Sequence, residues 1–508
     1  MEKIQDVKTF KKPPYLMIAV LFVGAFVAFL NNTLLNVALP SIMVAFDIKD
    51  YSTVQWLATG YMLVSGILVP ASAYLITKFK TRPLFILSMA IFVIGTAMAA
   101  FAPSFGLLLA GRMIQAAGAA TMSPILMNVM LISFPVEKRG TAMGVFGLVM
   151  VLAPAIGPTL SGWIVEHYDW SVLFKMILPI AIIALLLAVW KLEDVLPNRP
   201  AKIDLFSVVL STLGFGGLLY GFSTASSAGW GAVEVWGTIL VGAIGLVWFI
   251  TRQFSLEEPL LDLRIYTYPA YALASVVSMV LSVAMFSGMI LTPAYVQNVR
   301  GIEPFEAGLM MLPGAIVMGV MSPITGKLFD KFGPRILAVT GLMIATIATF
   351  GLGYLETDST YTFIITMYTV RMLGISMVMM PIMTNGLNAL PNRLNPHGTA
   401  MNNTAQQVAG AIGTAVLVTI FNSHTKTRAA EIVADMKANA DPSAAQPTAE
   451  QLELIQGQVM QQALLDGITY SFFVAAGITV VAMILALFIK RVDITKRDDF
   501  MGAKPEEK

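Results

Sequence analysis

The chain has 508 residues, of which 57% are apolar and 12% are charged, and its formal net charge is +2. Soluble globular domains carry ~25% charged residues, so this composition excludes a soluble enzyme and a disordered segment. The small net charge gives no basic field that could hold DNA or RNA, and we expect no nucleic-acid partner. The lipid bilayer is therefore the expected surrounding.

Fourteen apolar runs follow one another along the chain, each close to the ~20 residues that a membrane-spanning helix needs. The first run follows a lysine-bearing segment, residues 1–14, and contains no small-residue cleavage site, so we expect it to stay as a span. The runs lie at about 15–37, 54–76, 84–102, 107–132, 141–165, 172–191, 204–223, 232–250, 270–292, 306–326, 336–354, 362–385, 399–421 and 467–489.

The distribution of basic residues predicts the orientation. With alternating spans and the N-terminus inside, 24 of the 32 Lys and Arg fall on the inner side and 5 on the outer side. The remaining 3 are Arg112, Lys175 and Arg371, within or at the edge of spans. Because basic residues concentrate in cytoplasmic loops, we expect both termini in the cytoplasm.

An internal repeat predicts the domain organisation. Gly140–Met143 recurs as Gly398–Met401, Arg112-Met113 recurs as Arg371-Met372, and a loop near Ala73–Arg82 recurs at Gly326–Arg335. Matches at similar offsets, of 258, 259 and 253 positions, indicate two equivalent halves, an architecture of transporters that bind substrate between the halves. We therefore expect a cytoplasmic N-terminus 1–14, a six-helix bundle 15–191, two inserted helices 204–250, a second six-helix bundle 270–489 and a cytoplasmic C-terminus 490–508.

The longest connection, residues 422–466, falls on the outer side within the second bundle. Its composition fits either a helical excursion or a solvated linker.

One inner loop has a specific spacing of glycine, acidic and basic residues. Gly326, Asp330 and Arg335 lie in the segment Gly326-Lys327-Leu328-Phe329-Asp330-Lys331-Phe332-Gly333-Pro334-Arg335. Glycine permits close helix approach, and an aspartate can pair with basic residues or cap a helix N-terminus of the neighbouring bundle. The segment is a candidate conformational latch; the alternative is an ordinary basic inner loop.

Polar side chains within the spans are candidates for a substrate cavity. Amides cluster on the first span (Asn31, Asn32, Asn36) and on the thirteenth (Asn402, Gln406), and Gln115 lies on the fourth. They could line a water-filled cavity or join helices to each other. Arg112 and Arg371 are charges within apolar runs, which face a cavity or a partner unless they extend to the membrane surface.

Other chemistries lack their sequence signals. There is no Cys, and the three histidines, His167, His397 and His424, have no metal-ligand spacing. No Walker-type phosphate loop is present, so ATP is not the expected energy source and we expect no cofactor. An intramembrane enzyme would need clustered His, Asp or Glu within the spans, and a channel would need a filter-like repeated loop.

Several segments together resemble the major facilitator superfamily and its fourteen-span drug:proton antiporters of the EmrB/QacA type, including LmrB-like proteins. The resemblance rests on the loop at 326–335 and on the first-helix segment 30–40. It also rests on 111–118 in the fourth span, on Gly144, Gly157-Pro158 and Gly162 in the fifth, and on 259–263 and 406–413. It implies an all-helical 6+2+6 fold that exchanges protons for amphipathic or lipophilic drugs across a bacterial cytoplasmic membrane. We expect a monomer surrounded by lipid.

The resemblance also implies residue roles. Arg112 would assist proton transfer, and Gly144, Gly157, Pro158 and Gly162 would form a hinge-like seal; ordinary helix packing is the alternative for the latter. The family's first-helix acid is Asn31 here, so the coupling proton needs another carboxylate. The candidates are Glu166, Asp330 and Glu306.

The first-half copy of the latch loop departs from the family pattern. Ala73 replaces a glycine, Thr77 replaces the aspartate and Lys80 replaces a second glycine.

Taken together, the resemblance implies a proton-coupled exporter of many compounds. The alternative is a carrier for one physiological solute, which a competition panel would distinguish.

Overall fold

The computed structural model describes residues 14–49, 51–196, 203–438 and 449–492. These residues form fourteen long helices joined by short turns. The helices are α1 Tyr15–Ala45, α2 Tyr51–Lys78, α3 Thr81–Ala100, α4 Phe105–Ser133, α5 Arg139–His167, α6 Val172–Lys191, α7 Leu205–Ala228, α8 Val233–Ser255, α9 Pro269–Ala294, α10 Pro304–Phe332, α11 Pro334–Leu352, α12 Tyr361–Asn388, α13 Asn395–Ala438 and α14 Ala449–Ala486.

Within the described residues, 14 helices are long and apolar enough to cross a membrane. Helices satisfy their own backbone hydrogen bonds, which the hydrocarbon region cannot do for them. The expectation of an all-helical protein with fourteen spans is confirmed.

The long outer connection is helical on both sides of its centre. α13 continues to Ala438 and α14 begins at Ala449, so both helices extend beyond the predicted spans. Arg428 on α13 pairs with Asp466 on α14 (Nε to Oδ2, 2.9 Å) and joins the two extensions. The helical alternative therefore describes residues 422–438 and 449–466, and the centre at 439–448 lies outside the described residues.

The helices pack as two bundles and one hairpin. α1–α6 contact one another, as do α9–α14, and the bundles meet where α5 packs on α10 and α2 packs on α13. α7 and α8 form a hairpin that lies against α2 and α13. Small residues let the hairpin close, since a Cβ on Gly217 would lie 2.8 Å from the Gly242 Cα.

An ion pair fixes the inner end of this hairpin. Asp204 caps α7 by accepting from the Ser207 N–H at 3.2 Å, and Arg252 of α8 donates to both of its oxygens at 2.6 and 3.0 Å. The Arg252 guanidinium holds the pKa of Asp204 well below its usual range. We call the side of the molecule that holds the α2–α3 loop the inner side. The charge distribution predicts that this side is cytoplasmic.

Candidate functional site

A cavity of 280 Å³ lies between the two bundles, near the middle of the spans. Four amides line it, one from α1 and three from α13: Asn32, Asn403, Gln406 and Gln407. The ring of Tyr61 and several methionine, alanine and serine side chains complete the wall. We call this the central cavity. It offers hydrogen-bond donors and acceptors to a ligand that is otherwise in apolar contact.

The structure separates the predicted cavity residues into two groups. Asn32 and Gln406 line the central cavity. Asn31, Gln115 and Asn402 do not belong to its lining: they are 1%, 0% and 3% exposed, packed between helices. For these three the alternative of interhelical contact describes their surroundings. The side chain of Asn36 lies outside the described part of the structure.

Arg112 is fully buried behind the wall of the central cavity. Its guanidinium lies 4.3 Å above the centroid of the Tyr61 ring, which lines the cavity. Nη1 donates to Gln115 Oε1 at 3.1 Å and to the Asn31 carbonyl at 3.4 Å, while the buried Nη2 has no partner among the described residues. Arg112 therefore does not reach the membrane surface, and its charge acts on the cavity through Tyr61.

Arg371 is the counterpart of Arg112 in the second bundle. It donates to the carbonyl of Ala284 and, through Nε, to Thr349 Oγ1 at 3.1 Å. In the first bundle the matching acceptors are the carbonyl of Asn31 and, through Gln115, the hydroxyl of Thr96. Each acceptor in the second bundle lies 253 positions after its counterpart in the first: Ala284 after Asn31, and Thr349 after Thr96. The internal repeat thus extends to the hydrogen bonds of its two buried arginines.

The interior carries positive charge without a buried acid. Arg112, Arg139 and Arg371 are at most 5% exposed, and no Asp or Glu is among the buried residues of the described segments. Glu166 and Glu306 are exposed at the outer ends of α5 and α10. They lie apart from the central cavity, so the structure does not bring them together with Arg112.

The latch segment contacts the opposite bundle at the inner side. Asp330 on α10 accepts from the backbone N–H of Gly140 and of Thr141 at 3.0 Å each, and from the Thr141 hydroxyl at 2.7 Å. Gly140 and Thr141 begin α5, so the carboxylate lies at the positive end of that helix. The glycines are required here, because a Cβ on Gly140 would lie 2.6 Å from the Gly326 carbonyl oxygen.

Arg491 and Arg139 lie near the Asp330 contact and make hydrogen bonds that the sequence motif does not predict, whereas Arg335, which belongs to the motif, is exposed. Arg335 is exposed at the start of α11, whereas Arg491, beyond α14, donates Nη2 to the Asp330 carbonyl at 2.8 Å. Arg139 is buried and donates to Asn388 Oδ1 on α12 at 3.2 Å. Both arginines adjoin predicted features, the α5 start and the last span, but neither belongs to a recognisable spacing.

The equivalent contact in the first-half loop is missing. Thr77 takes the place of Asp330 and donates to the carbonyl of Ala73 on its own helix at 2.8 Å. The hydroxyl of Thr399, which corresponds to Thr141, is buried without a partner in the described residues. Between these elements lies an inner cavity of 420 Å³, lined by Thr77 and His397 among others. With Thr77 in place of the aspartate, the described residues hold one contact of this kind, at Asp330.

The candidate hinge residues of α5 contact different neighbours along the helix. A Cβ on Gly144 would lie 2.8 Å from the Pro323 Cα of α10, so backbones touch at the inner half. Gly157 faces Thr33 of α1, and a Cβ on Gly162 would lie 3.3 Å from the Phe305 side chain of α10, a tight contact with a ring rather than with backbone. Packing between the bundles is thus closer on the inner half than at the outer end of α5.

A third cavity, of 480 Å³, lies in the outer half between the bundles. Pro158 of α5 lines it, together with residues of α1, α9, α10 and α12. We call this the outer cavity. Of the four predicted hinge positions, Gly144 thus lies in the closely packed inner interface, whereas Pro158 faces the outer cavity.

Comparison with known proteins decides the family. The model of the Major Facilitator Superfamily matches residues 21–414. The chain belongs to the major facilitator superfamily.

Among individual relatives of this superfamily, the MFS-type transporter YhcA of Bacillus subtilis is 42% identical, over 98% of this chain and 96% of the relative. Lincomycin resistance protein LmrB of Bacillus subtilis is 41% identical, over 94% and 96%. The human organic anion transporter MFSD10 shares the fold, with a TM-score of 0.63 at 13% identity over 94% of this chain and all of that one. The chain is thus a multi-pass transporter of the bacterial cytoplasmic membrane, in a superfamily that includes named resistance proteins.

Proposed function

We propose that this transporter exports amphipathic or lipophilic compounds in exchange for protons, by alternating access. The observation that carries the proposal is the central cavity, which lies between the bundles and combines four amides with apolar walls. The 41% identity to a protein named for lincomycin resistance supports drug export. The asymmetric latch supports alternating access, since it joins α5 to α10 across the two bundles.

The charge of the interior supports a preference for neutral or zwitterionic compounds. Neither the central nor the outer cavity is lined by Asp or Glu within the described residues. A cation entering the central cavity would lose hydration without gaining a fixed negative partner. It would also meet the charge of Arg112 behind Tyr61.

Asp330 is the coupling carboxylate that we would test first. It is half-buried, and its charge strengthens three hydrogen bonds that hold the bundles together. Protonation would remove that charge and weaken the contact, which would link proton binding to opening of the inner side. Glu166 and Glu306 are exposed and contribute no comparable contact between the bundles, so they are second choices.

The test is dye transport in everted membrane vesicles with an imposed pH gradient, acidic inside, and vesicles without the protein as the control. We expect accumulation of Nile red, an uncharged aromatic dye, that collapses when a protonophore is added. Undiminished transport with ATP alone would contradict proton coupling. A panel of unrelated neutral competitors decides breadth: inhibition by one compound alone would favour a carrier for a single solute.

A further inference from the structure

The central and outer cavities share two wall residues, Met150 of α5 and Met285 of α9. One methionine comes from each bundle. No other residue lines both cavities, among the wall residues of each. The two side chains therefore lie at the boundary between the cavities.

The two cavities differ in chemistry. Six methionines line the outer cavity: Met150, Met285, Met289, Met311, Met318 and Met372. Its polar side chains are Thr33, Gln297 and Tyr368, and the Thr33 hydroxyl already donates to the Leu30 carbonyl. The central cavity has four amides beside four methionines, two of which are shared with the outer cavity, whereas the outer cavity has the single amide Gln297. A methionine-lined wall adapts to irregular apolar shapes and contacts aromatic rings favourably.

The outer cavity is large enough for a drug-sized ligand by itself, and a ligand that also fills the central cavity would use both spaces. Drug-sized ligands occupy pockets of about 300–1,000 Å³. The central cavity alone, at 280 Å³, is below this range, while the outer cavity adds 480 Å³. Methionine has three rotatable bonds, so Met150 and Met285 can move aside without a shift of either helix.

The outer end of this space has one prominent hydrogen-bonding group. α9 ends at Pro293-Ala294 and continues as a single π turn, Tyr295–Val299, which places Gln297 in the lining of the outer cavity. Single π turns are frequent at functional sites in helices. Gln297 would offer a polar contact to a ligand that leaves toward the outer side.

We propose, resting on the proposed export function, that the outer cavity is a second substrate compartment. It holds the apolar, preferably aromatic, part of an uncharged amphiphile, while the amides of the central cavity hold the polar part. Met150 and Met285 form a partition between the two compartments, and the substrate passes this partition on its way from one compartment to the other.

Substrate chemistry is tested with alkyl esters of 4-hydroxybenzoic acid, from methyl to hexyl, as inhibitors of Nile red export. Each added CH₂ removes apolar surface from water, so the inhibitory concentration should fall by roughly three- to fourfold per carbon. Met289→Gln places an amide in the outer cavity alone and should reduce this dependence to about twofold or less. Met62→Gln is the matched control, because Met62 lines only the central cavity and is 43% exposed, close to the 40% of Met289.

Equal chain-length dependence in the two variants would overturn the assignment of the outer cavity. Partitioning of the esters into the membrane is the same for every variant and cancels in the comparison. If the unmodified protein exports Nile red but the dependence does not change, the compartment proposal fails while export stands. Lack of any Nile red export would instead contradict the proposed function.

The partition is tested separately by cysteine labelling, which needs no transport. The chain has no Cys, so single cysteines report without background. We expect Gln297→Cys to react with a membrane-impermeant anionic methanethiosulfonate from the outer side, and Gln407→Cys in the central cavity to react at least about tenfold more slowly. Adding Met150→Ala and Met285→Ala should bring the Gln407→Cys rate close to that of Gln297→Cys. Equal rates before these changes, unchanged rates after them, or an unreactive Gln297→Cys would each overturn the partition.

Discussion

Asn31→Asp should change the charge preference of the transporter. In the structure Arg112 donates to the Asn31 carbonyl, and its Nη2 has no partner among the described residues. A carboxylate on the residue whose backbone carbonyl accepts from Arg112 would add a negative charge to the same buried region and offset the guanidinium. The interior next to the central cavity would then lose its net positive charge, with little change in side-chain size.

The size of the effect follows from the position of Tyr61. The guanidinium lies 4.3 Å above the ring centroid, and a ligand touching the opposite face adds about 3.5–4 Å of van der Waals contact. A monovalent cation there would be roughly 8 Å from the arginine. At an effective dielectric constant of about 20, the repulsion is about 2 kcal/mol. Removing it should raise transport of a cation relative to a neutral compound by roughly 30-fold at most.

The assay compares ethidium, a monovalent cation, with Nile red in vesicles, at about pH 6 and about pH 8. The cation advantage of Asn31→Asp should be larger at the higher pH, because a carboxylate titrates and an amide does not. Asn31→Ser, which removes the amide without adding charge, is the control and should show no gain for ethidium. If the unmodified protein already favours ethidium as strongly as the aspartate variant, the argument from Arg112 is wrong.

Three further outcomes are expected. Arg112→Ala should abolish export at an unchanged protein level, because Gln115 and Tyr61 lose their charged neighbour. Arg112→Lys should keep part of the export rate, since it retains a point charge but not the planar guanidinium. Export by Arg112→Ala equal to that of the unmodified protein would show that the arginine has no role. Asp330→Asn should lower the maximal transport rate by roughly 10-fold or more and change the apparent affinity by less than about twofold. Hydrogen bonds to a charged group are worth about 1.5–3 kcal/mol, and here they stabilise one conformation rather than contact the substrate. A change confined to apparent affinity would place Asp330 in substrate binding instead. Thermal stability in detergent should decline below about pH 4, near the ordinary aspartate pKa, and the decline should be larger in the unmodified protein than in Asp204→Asn. The reason is that Arg252 lowers the folded-state pKa of Asp204, so the carboxylate stabilises the fold above that range and loses its contribution as the pH falls. Parallel acid curves for the two proteins would exclude this ion pair as a source of acid sensitivity.

The sequence by itself determined the number of spans, their approximate ends and the existence of two related halves. Length and apolar composition suffice for the spans, since a bilayer accepts a narrow range of helix lengths, whereas the two halves were indicated by recurring segments such as Gly140–Met143 and Gly398–Met401. It also offered Asp330 as a cap for a helix of the opposite bundle, beside the alternatives of a partner for basic residues and an ordinary basic inner loop. The hydrogen bonds to Gly140 and Thr141 have the geometry that this spacing predicts.

Only the tertiary structure decided which polar side chains face the cavities. Asn31 and Asn32 are adjacent in sequence, yet one is buried between helices and the other lines the central cavity. Lipid and protein interior are equally apolar, so the pattern along a span does not tell which face meets substrate, lipid or another helix. The boundary at Met150 and Met285 depends on how α5 and α9 approach each other from opposite halves, and no spacing within either helix specifies that contact.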